Sequence, residues 1–324
     1  MSGLWLHAAG LTAVVGNGDL SFAPLAGLGL DRGKFYSVAS ALLWAVAIVL
    51  FRASGDHVTP VALNLFKNCV GFTLMVLTMA LIGVDFAPAG SSVSDWLILL
   101  ASGAIGIALA DSLFFASLNR LGASGSAIVD CLYSPLVIAC AWLYLGEPVG
   151  PALVAAMVLV GVAIVIGTWE PQSRLSGEAR RQRIEGVGLG IAAMAFMAAG
   201  IVIAKPVLET ADAWWAAALR LGGAVPVLVG VGMLPSQRRG VAACFRPGRH
   251  WWVMLPGSVM GGYCAMIVWI LGFKYTQAGI ASVLNQTSIF FVLVLATVFL
   301  KERLTVRRVL AVAIGFAGAV LVSF

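Results

Sequence analysis

A chain of 324 residues with 61% hydrophobic and only 10% charged residues, and a mean hydropathy of +1.00, is not an ordinary soluble domain, where about 25% of residues are charged. Its formal net charge of +6 would suggest nucleic acid in a soluble protein. Here the basic residues lie mainly in short loops between apolar runs, so they read as topology signals and lipid-headgroup contacts, and no nucleic-acid partner is expected. Five cysteines without a CxxC pair, and His7, His57 and His250 without an HExxH-like cluster, indicate no disulfide framework, metal site or cofactor.

Residues 1–34 form an N-terminal tail. The apolar run from Leu4 to Val15 is preceded by no basic residue and interrupted by Asn17 and Asp19. It is too short to span and lacks the positive start of a signal peptide, so an irregular tail or a surface helix is expected. Apolar segments follow at 35–53, 61–83, 96–117, 124–145, 151–169, 186–204, 214–234, 251–272, 279–300 and 308–323. About 20 residues at 1.5 Å each cross a ~30 Å hydrocarbon core. Asp56-His57, Thr59-Pro60, Pro88-Ala89-Gly90 and Glu147-Pro148 mark the breaks, because Pro and Gly interrupt helical hydrogen bonding. The fold expected is an all-α integral membrane protein of ten transmembrane helices. A first unit covers 35–169, a charged linker 170–185, and a second unit 186–324.

The chain reads twice. Arg52 and Lys67 recur as Lys205 and Arg220 at an offset of 153, and Gly146-Glu147-Pro148-Val149 recurs as Lys301-Glu302-Arg303-Leu304 at an offset of 155. Five crossings per half would send the second copy in from the opposite face. Such an inverted repeat is a recurring architecture of secondary transporters, whose halves rock about a central site. Loops one, three, five, seven and nine hold 14 of the 20 basic residues. The positive-inside rule then puts both termini outside the cytoplasm.

The stretch Leu121-Gly122-Ala123-Ser124-Gly125-Ser126-Ala127, then Ser134-Pro135-Leu136, Leu145-Gly146-Glu147-Pro148 and Gly161 resembles an EamA domain of the drug/metabolite transporter superfamily. Thr276 to Ser282, Phe299 to Thr305, Gly315 and Gly318 echo it in the second half. The basic residue early in the second segment of each half, Lys67 and Arg220, is similar to that family's pattern. Two departures stand out: Ile289-Phe290 replaces Ser134-Pro135, and Lys301 replaces the glycine before the glutamate. The resemblance implies two five-helix EamA-like halves, in a multi-pass protein of a cell membrane such as the bacterial inner membrane. It further implies export or exchange of small metabolites such as amino acids by alternating access. It also implies cytoplasmic termini, against the charge count, and both orientations stay open.

Ionisable groups inside a bilayer cost about 2.5–3.5 kcal/mol or more, and are functional candidates for that reason. Lys67, Asp111, Asp130 and Arg220 are the four here, with formal charges that cancel. Asp111 and Asp130 lie 9 and 10 residues from Arg120, at one depth, so they are expected to face each other as a proton site. The alternative is a structural pairing of one of them with Lys67. Asn285, the repeat partner of Asp130, and Gln286 suit a zwitterionic or polyol cargo, or else Asn285 serves an interhelical hydrogen bond. Asn64 and Asn68 flank Lys67 on one helix face. Lys67 and Arg220 would bind a carboxylate or phosphate, or else snorkel to the interface. Trp44, Tyr133, Tyr263 and Trp269 are pocket-lining candidates, whereas Trp214, Trp215, Trp251 and Trp252 are read as interface anchors. Glu147 and Glu302 are read as loop or gate residues.

The leading reading is a secondary transporter of a small polar or amphipathic metabolite, with protons as a coupling ion and lipid as its surroundings, acting as a monomer or homodimer. It is not read as an enzyme. Two alternatives are a lipid-binding or scaffold protein, and an intramembrane serine protease suggested by Gly122-Ala123-Ser124-Gly125. The latter would need a base beside the serine.

Overall fold

A computed structural model of the chain describes residues 4–8, 11–16, 19–22, 32–54, 58–146, 151–168, 177–302 and 305–321. Near the N-terminus, β1 (Leu4–Ala8), β2 (Leu11–Gly16) and β3 (Asp19–Phe22) pair antiparallel in that order, in place of the expected tail or surface helix. Asn17-Gly18 between β2 and β3 is a hairpin signal that a reading by hydropathy passes over.

The rest is helical: α1 (Arg32–Ser54), α2 (Pro60–Ile82), α3 (Val93–Gly103), α4 (Ala110–Asp130), α5 (Tyr133–Leu145), α6 (Pro151–Thr168), α7 (Gly177–Thr210), α8 (Ala213–Gly232), α9 (Arg238–Phe245), α10 (Trp251–Ser258), α11 (Ala265–Tyr275), α12 (Ala278–Asn285), α13 (Ser288–Phe299) and α14 (Val306–Leu321). A π-turn, Ala104–Leu109, joins α3 to α4, and a second, Val259–Cys264, joins α10 to α11. Among the described residues seven helical bodies are long and apolar enough to cross a membrane, fewer than the ten expected. The third and fourth expected segments merge into one body, Val93–Asp130, and Tyr133–Leu145 remains as a shorter apolar helix.

Helices of the two halves interleave. α1 packs on α10 and α11, α2 on α8, α3 on α7 and α8, and α4 on α7 and α13. Small residues permit this, since close backbone approach replaces hydrophobic driving force in lipid. A Cβ on Gly103 would collide with the Arg220 carbonyl, and one on Gly223 with the Leu100 carbonyl. α8 thus lies directly against α3.

Four distortions of the helices are related by the repeat offset of 155. The π-turn 104–109 corresponds to 259–264, and a tight turn at Cys131-Leu132 corresponds to one at Gln286-Thr287. Both tight turns close with i→i−3 hydrogen bonds, Leu132 N–H to Val129 and Thr287 N–H to Leu284. In the first, Pro135 has no N–H to offer the Cys131 carbonyl four residues back. Gln286 supplies the missing donor from the other half: its Nε2 donates to the Asp130 carbonyl (2.9 Å) and the Cys131 carbonyl (3.2 Å).

Gly122 makes the corner inside Val93–Asp130, with φ 75° and ψ 173°, a left-handed backbone natural to glycine. The helix that restarts there has free N–H groups. The Glu302 carboxylate accepts from Ala123 N–H (2.8 Å) and Ser124 N–H (3.1 Å), with Arg308 3.7 Å behind it. Glu302, in the loop between α13 and α14, therefore caps a helix of the opposite half. Glu147 lies outside the described residues. Glu302→Ala is expected to cost about 0.5–2 kcal/mol, the usual loss of an N-terminal cap, read as a lowered Tm in detergent. The same geometry accounts for Gly122-Ala123-Ser124-Gly125 without catalysis. Ser124 is buried at a helix start, while His250 Nε2 is engaged 3.0 Å from the Cys244 carbonyl.

The surface helix α9, unforeseen in the sequence, lies in what was read as a plain loop. It carries Cys244, whose thiol burial pushes up to about 12, so it is no reactive thiolate. Of the expected interface tryptophans only Trp252 is strongly exposed, at 86%. Trp215 is turned inward against Trp96 and donates to the Phe86 carbonyl (3.0 Å), and Trp251 donates to the Cys244 carbonyl (3.0 Å).

Candidate functional site

Where the halves meet, a central cavity of about 70 Å³ opens, several times the roughly 10–15 Å³ that a single water needs. Its walls come in repeat-related pairs: Trp44 with Met197 and Lys67 with Arg220 at offset 153, Gly106 with Gly261 and Asp111 with Met266 at offset 155. The cavity therefore lies on the pseudo-twofold axis.

Lys67 and Asp111 form a buried ion pair across α2 and α4, with side chains 1% and 6% exposed. The Lys67 ammonium also lies 5.8 Å from the centre of the Trp44 ring and 5.6 Å from that of Phe115, within cation–π range. Arg220 Nη1 donates to Ser102 Oγ (2.6 Å) and the Gly200 carbonyl (3.4 Å), and its guanidinium lies 5.3 Å from the Trp269 ring. Its Nε is buried without a partner. Both cations turn inward, so neither snorkels. Lys67 and Asp111 neutralise each other, whereas Arg220 forms no ion pair among the described residues. One positive charge is left facing the cavity.

The other sequence candidates divide. Trp269 and Asn285 line the cavity, and Asn285 Oδ1 accepts from Ser40 Oγ (2.8 Å). Asn64 and Asn68 do not line it. Asn64 Nδ2 donates to the Ile107 and Ala108 carbonyls of the π-turn (3.0 and 3.1 Å), and Asn68 Nδ2 to Asn64. A π-turn opens the i→i−4 ladder, and an amide on the facing helix supplies the donor. Gln286 braces the Cys131-Leu132 turn, as described. Tyr263 reaches away to Thr78 Oγ1 (2.6 Å) and packs on Trp214. Tyr133 is buried between the elements, within electrostatic range of both Arg220 and Asp130. The expected face-to-face carboxylates are not formed. Asp111 turns to Lys67, while Asp130 lines a separate, narrow pocket with Phe114, Ser126 and Ser288. Burial separates them because α4 offers its two ends to different neighbours. Ser40, Ser102 and Met197 were missed in the sequence: small or apolar residues in apolar runs carry no signal until their partners are known.

Apolar helices interleaved around an internal charged cavity define a multi-pass integral membrane protein. A model of the EamA-like transporter family matches residues 31–169 and again 184–324, and the chain belongs to that family, a branch of the drug/metabolite transporter superfamily. A relative described as an uncharacterized transporter, from Archaeoglobus fulgidus, is 42% identical over 53 residues, spanning 16% of this chain and 19% of that protein. A crystal structure of a protein is similar over 89% of this chain and 95% of its own, with a TM-score of 0.63 at 15% identity, a likeness of fold alone.

Proposed function

We propose that the chain is a secondary transporter, an exporter or exchanger, of a small metabolite that joins a carboxylate or phosphate to an amphipathic body, as amino acids do. Divided at Gly122, its helices make ten crossings in two inverted halves, which rock about the central cavity. The observation that carries this reading is Arg220: a guanidinium facing the cavity with a hydroxyl, a carbonyl and an aromatic ring as partners, and no direct ion pair among the described residues, the nearby Asp111 carboxylate being bound to Lys67. A buried unpaired charge is costly, and an anionic group on a solute would neutralise it with two parallel hydrogen bonds. Trp44 and Trp269 offer apolar faces to the rest of the solute.

Uptake of radiolabelled amino acids and their decarboxylated amines into proteoliposomes tests this. Carboxylates are expected to be carried and amines not. Arg220→Gln should lower uptake at least about tenfold, equivalent to about 1.4 kcal/mol, and Arg220→Lys should retain part of it as a point charge. Equal uptake by wild type and Arg220→Gln, or amines carried as well as carboxylates, overturns it. A lipid-binding or scaffold protein would show no flux in the wild type.

A further inference from the structure

The narrow pocket at Asp130 has no part in the site just described. It is formed where the C-terminal turn of α4 meets the first turn of α13, with Phe114, Ser126, Asp130, Ser288, Ile289 and Val292 among its walls. It is too narrow to hold a water molecule. Asp130 is part-buried and its carboxylate has no ion-pair partner among the described residues, while the Ser126 hydroxyl, 2% exposed, lacks a hydrogen-bond partner. A buried hydroxyl without a partner thus shares a narrow pocket with a part-buried carboxylate.

The charges around it are few. On its own segment Cys131 and Tyr133 lie in electrostatic range. Of the elements packed on α4, namely α1, α2, α6, α7, α13 and α14, none presents a charged group to the carboxylate among the described residues. A metal cation is a poor occupant, since hard cations take six or more oxygens and this pocket has no room for waters to complete the shell. A proton needs no room. It also turns the carboxylate into a donor, for which the Ser126 hydroxyl in the same pocket is an acceptor.

We propose that Asp130 is a proton-carrying site of this transporter, built apart from the solute cavity. The step is a simple exchange: an O–H bond forms on Asp130 as one breaks in a hydronium ion, and reverses when the pocket opens to water. Residues 285 and 286 connect it to the solute. Asn285 lines the solute cavity, and its neighbour Gln286 holds the Asp130 carbonyl at the end of α4. A solute that moves Asn285 therefore moves the turn on which Asp130 stands. The role in coupling rests on the transport reading; the protonation itself does not.

The test is infrared difference spectroscopy of the full chain in lipid, titrated with acid and base, on wild type, Asp130→Asn, Asp111→Asn and Arg220→Gln. A protonated-carboxyl C=O band that disappears on titration with base is expected in the wild type and in both control variants. It should be lost in Asp130→Asn, a near-isosteric change whose folding is checked by elution profile. Ser126→Ala should shift the band by removing its hydrogen-bond acceptor. Absence of the band in the wild type, or its survival in Asp130→Asn, overturns the proposal. In proteoliposomes, Asp130→Asn should keep amino-acid exchange within about twofold but lose accumulation driven by a pH gradient; equal loss of both overturns the coupling role. An Arg220→Gln protein that keeps the band but carries no solute shows the two sites to be separate.

Discussion

Asp111→Ala and Lys67→Ala are each expected to destabilise the protein by about 3–5 kcal/mol, the usual loss when one partner of a buried ion pair is removed. Lys67 and Asp111 sit at 1% and 6% exposure, so bulk water does not replace the lost partner. A lone Lys67 would keep only the rings of Trp44 and Phe115, whose cation–π attraction of about 2 kcal/mol falls short of the lost pairing. The double change Lys67→Met with Asp111→Leu is expected to recover most of the stability, since no charge stays buried. Thermal unfolding in detergent reads all three. A double loss equal to the sum of the single losses would show the two groups uncoupled. Transport should fall in the two single variants, because each changes the net charge of the cavity wall.

Gly103→Val is expected to be damaging for a different reason. A side chain there would meet the Arg220 carbonyl, backbone rather than a flexible side-chain end. Overpacking of a core costs about 1–3 kcal/mol even where side chains can yield, so at least this much is expected. α8 would be pushed from α3, and with it the Arg220 guanidinium from Ser102, the residue beside Gly103. Uptake should accordingly fall further than Tm suggests. Gly188→Ala is the control: a Cβ there meets nothing within 4 Å, and alanine in a helix interior gains about 0.5–1 kcal/mol over glycine. Equal Tm for wild type and Gly103→Val would refute the close approach.

The duplication, the charged positions Lys67, Asp111 and Arg220, and the aromatic walls Trp44 and Trp269 were legible in the sequence because each breaks a rule of apolar helices. Their pairing was not. Charge and depth alone could not tell whether Asp111 faces Asp130 or Lys67, since that depends on helix rotation, and rotation is set by packing partners far along the chain. Asn64 looked like part of a polar solute face, but it serves the carbonyls of a π-turn that no spacing in 104–109 announces. The capping role of the loop residue Glu302 was hidden because the N–H groups it caps lie some 180 positions earlier, at Ala123 and Ser124. The β-strands near the N-terminus were missed because a hydropathy scan weighs apolar runs and not turn chemistry.

The seal placed by Glu302 on the Gly122 corner bears on how the molecule is made. The corner is synthesised early, but the carboxylate that completes it appears only when residue 302 has left the ribosome. Until then, the bend must wait in the translocon or the lipid with its amide donors open. Gln286 imposes the same delay on the turn at Cys131. Threading and annealing are thereby separated in time, and the first half made alone would be a polypeptide with two unfinished bends. Supplying the second half as a separate chain would offer both missing groups in trans, so the two fragments should find each other in the bilayer and assemble.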